Sequence, residues 1–272
     1  MNKLRFIVSV AIIAAVVVSC KNKTQESAAG EIVEPAKSVI AEEVVSLVDD
    51  LLNNYVLGSE KVDVTTAFAS SLSERKKLVK PDYLYDPEAT NSLVTRSQKI
   101  NALGILVAER PVRVAFGMPV DKVDEAIAKL AVDVNHPFSV EDVKEKSITE
   151  RIKNDYAVCK ERGELCYFWQ FAFAAENTCL YLVAHDPELF LGAITEEQYA
   201  SFKARSQSVL KAVFTLAEYD EELAAIKAAC LEDETLADKK KADELYSTLA
   251  LFKANISANK DRFVARRAAL LK

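Results

Sequence analysis

Apolar residues recur along most of this chain at helical rather than strand spacing. Val39, Ile40, Val44, Leu47, Val48, Leu51, Leu52 and Tyr55 return every third or fourth position, the mark of an amphipathic helix. Pro35 suits its first turn and Gly58 its stop. A second helix is expected over 63–79, ended by Pro81. Asp86-Pro87-Glu88 reads as a helix start, with Asp as N-cap and Pro at the first helical position. That third helix runs towards Phe116, with Pro111 kinking or splitting it. Asp121 opens a fourth, closed by His136-Pro137, and Ser139-x-x-Asp142 opens a fifth that reaches Lys160 before Arg162-Gly163. Thr195-x-x-Gln198 is a capping box that opens a long helix to Leu231, and a last helix covers 235–270. The pattern predicts an all-α fold, an antiparallel bundle of about seven or eight helices joined by short loops.

One helix differs from the rest. Leu165 to Ala184 (LCYFWQFAFAAENTCLYLVA) is apolar nearly all round, as a helix at the centre of a bundle must be. Its exception is Glu176, which lies only about 20° around the helix from Trp169 at 3.6 residues per turn. A carboxylate there must pair with an arginine of a neighbouring helix, reach the rim, or hold a proton. Such groups are functional-site candidates, so Trp169, Phe173, Glu176 and Leu180 form a candidate ligand pocket. The alternative is a purely structural ion pair.

Short matches echo through the chain. Asn54-Tyr55 and Asp86-Pro87-Glu88 are followed by Asp155-Tyr156 and Asp186-Pro187-Glu188 at an offset of about 100 residues. Arg96-Ser97-Gln98 and Ala108-Glu109 recur as Arg205-Ser206-Gln207 and Ala217-Glu218 at a slightly longer offset. Two related halves, 35–137 and 138–272, would give this order. Chance resemblance among helices built from few residue types is the competing reading.

The N-terminus follows another logic. Lys3 and Arg5 precede Phe6 to Val18 (FIVSVAIIAAVVV), apolar but for Ser9. This run is too short to cross a bilayer, which needs about 20 residues, and it has the layout of a secretory signal. Val17-Val18-Ser19-Cys20 resembles the lipobox of bacterial lipoproteins, and over these residues the chain resembles envelope lipoproteins of Bacteroidetes-type bacteria. The resemblance implies cleavage after residue 19 and lipidation of Cys20. Residues 20–34 would be a lipidated cysteine and polar tether, and 35–272 the helical domain. Lys21 stands where an inner-membrane retention signal would place aspartate, which points to the outer membrane. Two or more acyl chains give stable anchoring, so the expected membrane contact is the lipid at Cys20.

Composition narrows the partners. The chain has 35 basic and 41 acidic residues, a net charge of −6, and loss of Lys3 and Arg5 with the leader makes the body more acidic. That excludes the basic footprint of a nucleic-acid binder. Beyond Cys20 there are Cys159, Cys166, Cys179 and Cys230. A disulfide between Cys159 and Cys166 requires a hairpin at Gly163, because seven residues of continuous helix would hold them about 10 Å apart. Cys179 with Cys230 is a second candidate pair. His136 and His185 adjoin helix-ending prolines, where a helix C-terminus favours their charged form. No HExxH, GxSxG, Walker A, GxGxxG, paired CxxC or Glu-x-x-His motif is present, so no metal site, cofactor or enzyme class is expected. The functional expectation is a lipid-anchored, non-enzymatic envelope protein acting as scaffold or binding accessory for an envelope protein partner. The alternative is a small-ligand-binding lipoprotein using the pocket near Trp169 and Glu176.

Overall fold

In a computed structural model, the protein is an all-helical bundle. The structure describes residues 39–61, 80–137, 142, 145–232 and 243–272. These belong to one compact unit, Lys37–Lys272, with no strand among the described residues. The leader, Cys20, the tether, the expected helix over 63–79 and most of the Ser139-x-x-Asp142 start lie outside them.

The first helix, α1, spans Glu42–Lys61. A 3-10 helix over Pro87–Ser92 precedes α2, Arg96–Ala115, and α3, Asp121–Asp133. Helix α4 covers Ile148–Glu161 and α5 covers Leu165–His185. The short α6, Pro187–Leu191, leads into α7, Glu196–Leu216, and α8, Glu221–Glu232. Helices α9, Leu249–Ala258, and α10, Lys260–Ala269, close the chain.

The structure moves several expected boundaries, each for a local reason. Asp86-Pro87-Glu88 opens only the 3-10 turn; α2 starts at Thr95, whose hydroxyl accepts from the Gln98 backbone while the Gln98 side chain accepts from the Thr95 backbone. Pro111 sits inside α2 without ending it. The expected helix from 195 to 231 breaks at 217–220, where the Asp220 side chain caps a new start by accepting from Leu223 N. The expected final helix is divided at Asn259, and Thr248 caps α9. The bundle therefore has more and shorter helices than the pattern suggested. Helices α2, α3 and α4 each end in a left-handed residue, Gly117, Asn135 and Gly163. In each, the next amide donates back into the last turn, as Met118 N does to Arg113 O at 2.9 Å and Glu164 N to Cys159 O at 2.7 Å.

Gly58 is not the stop it resembles, since α1 continues through it to Lys61. A Cβ at Gly58 would lie 2.6 Å from Arg205 Cβ and 2.7 Å from Ser201 O. The glycine lets α1 lie against α7. Gly104 does the same for α2 on α5, where a Cβ would approach Phe171 O to 2.8 Å. These are the two most extensive helix contacts among the described elements.

The order of elements repeats. A capped Asp-Pro-Glu turn, a Thr-x-x-Gln box, a long helix and a shorter one run from Asp86 to Asp133 and again from Asp186 to Glu232. Both passages keep an offset of about 100 residues. The longer-offset matches do not correspond: Arg96 opens α2, whereas Arg205 lies in the middle of α7.

Candidate functional site

Helix α5 is buried along almost its whole length, and it carries all four candidate pocket residues. Trp169 has no exposure and packs edge-on against Phe168 at 5.2 Å between centroids, with Tyr55 at 5.9 Å and Tyr156 at 6.2 Å. Tyr55 and Tyr156, the tyrosines of the two echoing dipeptides, thus meet around one tryptophan. Trp169 belongs to this aromatic core and is not in the wall of the cavity that the other three share.

Phe173, Glu176 and Leu180 do meet, at a cavity of about 30 Å³ closed by Asn177, Ser206 and Tyr246. Glu176 is not open to it as a reactive acid. Arg205 of α7 approaches with Nε 2.9 Å from Oε2 and Nη2 3.3 Å from Oε1, and the Ser206 hydroxyl donates to Oε1. Burial by itself would favour a neutral guanidine, but the Glu176 carboxylate, with Cys179 and Tyr55 adding to it, raises the Arg205 pKa and keeps it protonated. On the other side of the pair lies a cavity of about 90 Å³ bordered by Tyr55, Arg151, Asp155 and Cys179. Burial, then the nearby Glu176 charge, pushes the Tyr55 phenol upward.

The sequence pattern did not reveal a second buried ionic centre. Glu109, in the middle of α2, has no exposure. It bonds Arg267 of α10, accepts from Tyr85 N at 2.8 Å, and has Arg113 at 3.6 Å. Arg113 also donates to Tyr85 O at 2.5 Å, and the Arg267 guanidinium lies 4.1 Å from the centre of the Tyr181 ring. Burial pushes the Glu109 carboxyl up, and Arg267 pulls it back. The available signal was a glutamate on the apolar face of α2, beside Ile105, Leu106 and Val112.

His136 caps α3 and turns inward. Its Nδ1 pairs with the Tyr167 hydroxyl and its Nε2 stands 3.8 Å from Asp155. Burial lowers its pKa, against the pull of Asp155, so the expected charged histidine at a helix end is corrected to a buried neutral one. His185 stacks on Tyr83 at 3.9 Å, and burial, then Lys260 and Arg267, takes its pKa down to about 4.

The Cys159–Cys166 bridge is also corrected. The hairpin at Gly163 forms, yet both residues are thiols, as are Cys179 and Cys230. Cys159 is wholly buried on the core side of α4 while Cys166 is only partly covered on α5. Burial pushes the Cys159 thiol up to about 12, which suits an inert core residue.

No helix among the described residues is long and apolar enough to cross a membrane. What the arrangement does chemically is brace helices, with α5 tied to α7 by Glu176–Arg205 and α2 tied to α10 by Glu109–Arg267. In comparisons with known proteins, no family model, curated protein or solved structure matches this chain.

Proposed function

We propose that this protein is a lipid-anchored, non-enzymatic component of the bacterial cell envelope, held by Cys20 in the outer membrane. Its helical body acts as a scaffold or binding accessory for an envelope protein. The observation that carries this reading is the pairing of Glu176. The carboxylate best placed for chemistry is consumed by Arg205 and Ser206, and the cavity beside it, about 30 Å³, is far below the roughly 300 Å³ of a small-molecule site. The buried ion pairs Glu176–Arg205 and Glu109–Arg267 fix helix against helix, as a rigid docking body requires. The Val17-Val18-Ser19-Cys20 pattern supports the anchor, and the acidic balance favours a solvated, non-nucleic-acid partner.

Metabolic labelling with palmitate tests the anchor: wild type takes up label and Cys20→Ser does not. Label retained by the mutant refutes lipidation at Cys20. Crosslinking in the native envelope tests the scaffold role, with a discrete crosslinked protein species expected from the wild type and lost in Cys20→Ser.

A further inference from the structure

The cavity behind Phe173 holds a polar group that the protein leaves unanswered. Asn177 is only 2% exposed, and both its side-chain donor and its acceptor lack a partner among the described residues. Buried amides are ordinarily paired, because leaving one bare forfeits its hydration without return. The neighbouring carboxylate cannot serve it, since Glu176 is engaged by Arg205 and Ser206. Phe173, Leu180, Val209 and Leu210 make the apolar part of the wall, and Gln207, Tyr246 and Arg266 complete it.

This cavity adjoins a larger groove. Phe173 and Arg266 line both. The groove has a volume of about 300 Å³, bounded by α8 and α10 and by the first turns of α2, which is the lower end of the small-molecule range. Its own buried amide is fully used. Asn101 donates to Leu270 O at 2.8 Å and accepts from Gln170 at 3.2 Å. Ala225, Ile226, Ala229 and Leu270 give it an apolar floor. Glu222 and Lys272 line the groove alone and Arg266 lines both parts, while Asn177 presents an uncharged donor and acceptor together.

We propose that the groove and the Asn177 cavity form one binding site for a small neutral amphiphile. Its apolar body lies along α8 and α10. Its hydroxyl or carboxamide tip passes between Phe173 and Arg266 to pair with Asn177. A group that both donates and accepts is required, because Asn177 offers both. The site is independent of the anchor and of the scaffold role.

The test is titration of the full chain with hexanamide and with 1-hexanol, followed by NMR of the Asn177 side-chain amide and by calorimetry. Saturable movement of that amide is expected with both probes. Asn177→Leu, close in shape and free of an unpaired polar group, should stay folded and bind at least tenfold more weakly. Ala229→Trp places a ring in the groove from an exposed position, so it should also abolish binding with the fold intact. Absence of a saturable shift with either probe would leave Asn177 to water alone and overturn the proposal. Equal binding by Asn177→Leu, or equally tight binding of hexanoate and hexylammonium, would overturn it too.

Discussion

The Arg267 guanidinium on α10 bonds the Glu109 carboxylate in the middle of α2, and both side chains are shut off from solvent. Breaking a buried pair leaves a charge without compensation. Arg267→Met leaves Glu109 with Arg113, at 3.6 Å, as its cationic partner among the described residues, so a loss of about 3 kcal/mol is expected. Urea denaturation measures it, and a loss below about 0.5 kcal/mol, the level of a surface ion pair, would refute the buried strut.

Glu176→Gln should act in the same way on the α5–α7 contact. Arg205 is 3% exposed, and a neutral residue in place of Glu176 removes its carboxylate counter-charge at a cost of about 2–4 kcal/mol. Denaturant midpoints of wild type and variant decide this. An unchanged midpoint would mean that Glu176 is not the counter-charge of Arg205.

Glycine-to-alanine exchange inside a helix usually stabilises, by up to about 1 kcal/mol. Here the sign reverses. Gly58→Ala and Gly104→Ala push a methyl group into neighbouring backbone at 2.7 Å and 2.8 Å, and each should lower stability by about 1–3 kcal/mol. A raised melting temperature in either variant would show that its helix pair can move apart freely.

Acidification should weaken the fold through its histidines. In His185 the pKa falls from 6.5 to about 4, from burial first and then from Lys260 and Arg267. The unfolded chain therefore binds a proton that the folded chain refuses. The stability is present above pH 6.5 and is lost as pH falls from there towards 4. The His136 pKa is shifted in the same direction, again by burial first. Melting temperatures of wild type and His185→Gln, compared between pH 7 and pH 4.5, should converge on acidification. Parallel curves would count against a neutral buried His185.

Local signals in the sequence were readable wherever a helix answers only to itself. The bounds of α5 follow from its unbroken apolar run, and the Thr195–Gln198 box marks the start of α7 as the structure has it. The same box at Thr95 and Gln98 was hidden by the stronger Asp-Pro-Glu signal upstream, which belongs to a 3-10 turn. Gly58 misleads for a physical reason: a glycine that ends a helix and one that admits a neighbour are alike along the chain, and only α7 distinguishes them. Ion pairing was legible in kind but not in identity. Glu176 needed a cation, but Arg205 is fixed as that cation by the packing of α7, which no spacing rule encodes. Glu109 does not stand out along the chain because α2 also carries polar residues at Asn101 and Arg113. The burial of Asn177 and its lack of partners exist only in three dimensions.

The close seating of α1 against α7 sets an order in time. A chain emerging N-terminus first from a ribosome or a translocation pore presents α1 early, but the surface that covers its apolar stripe arrives only with the second pass of the repeated order. Until then Val48 and Leu51, both buried in the finished bundle, lack that cover. Such delayed, long-range closure slows folding and exposes intermediates to aggregation. For a chain of this design the vulnerable window closes when α7 is released.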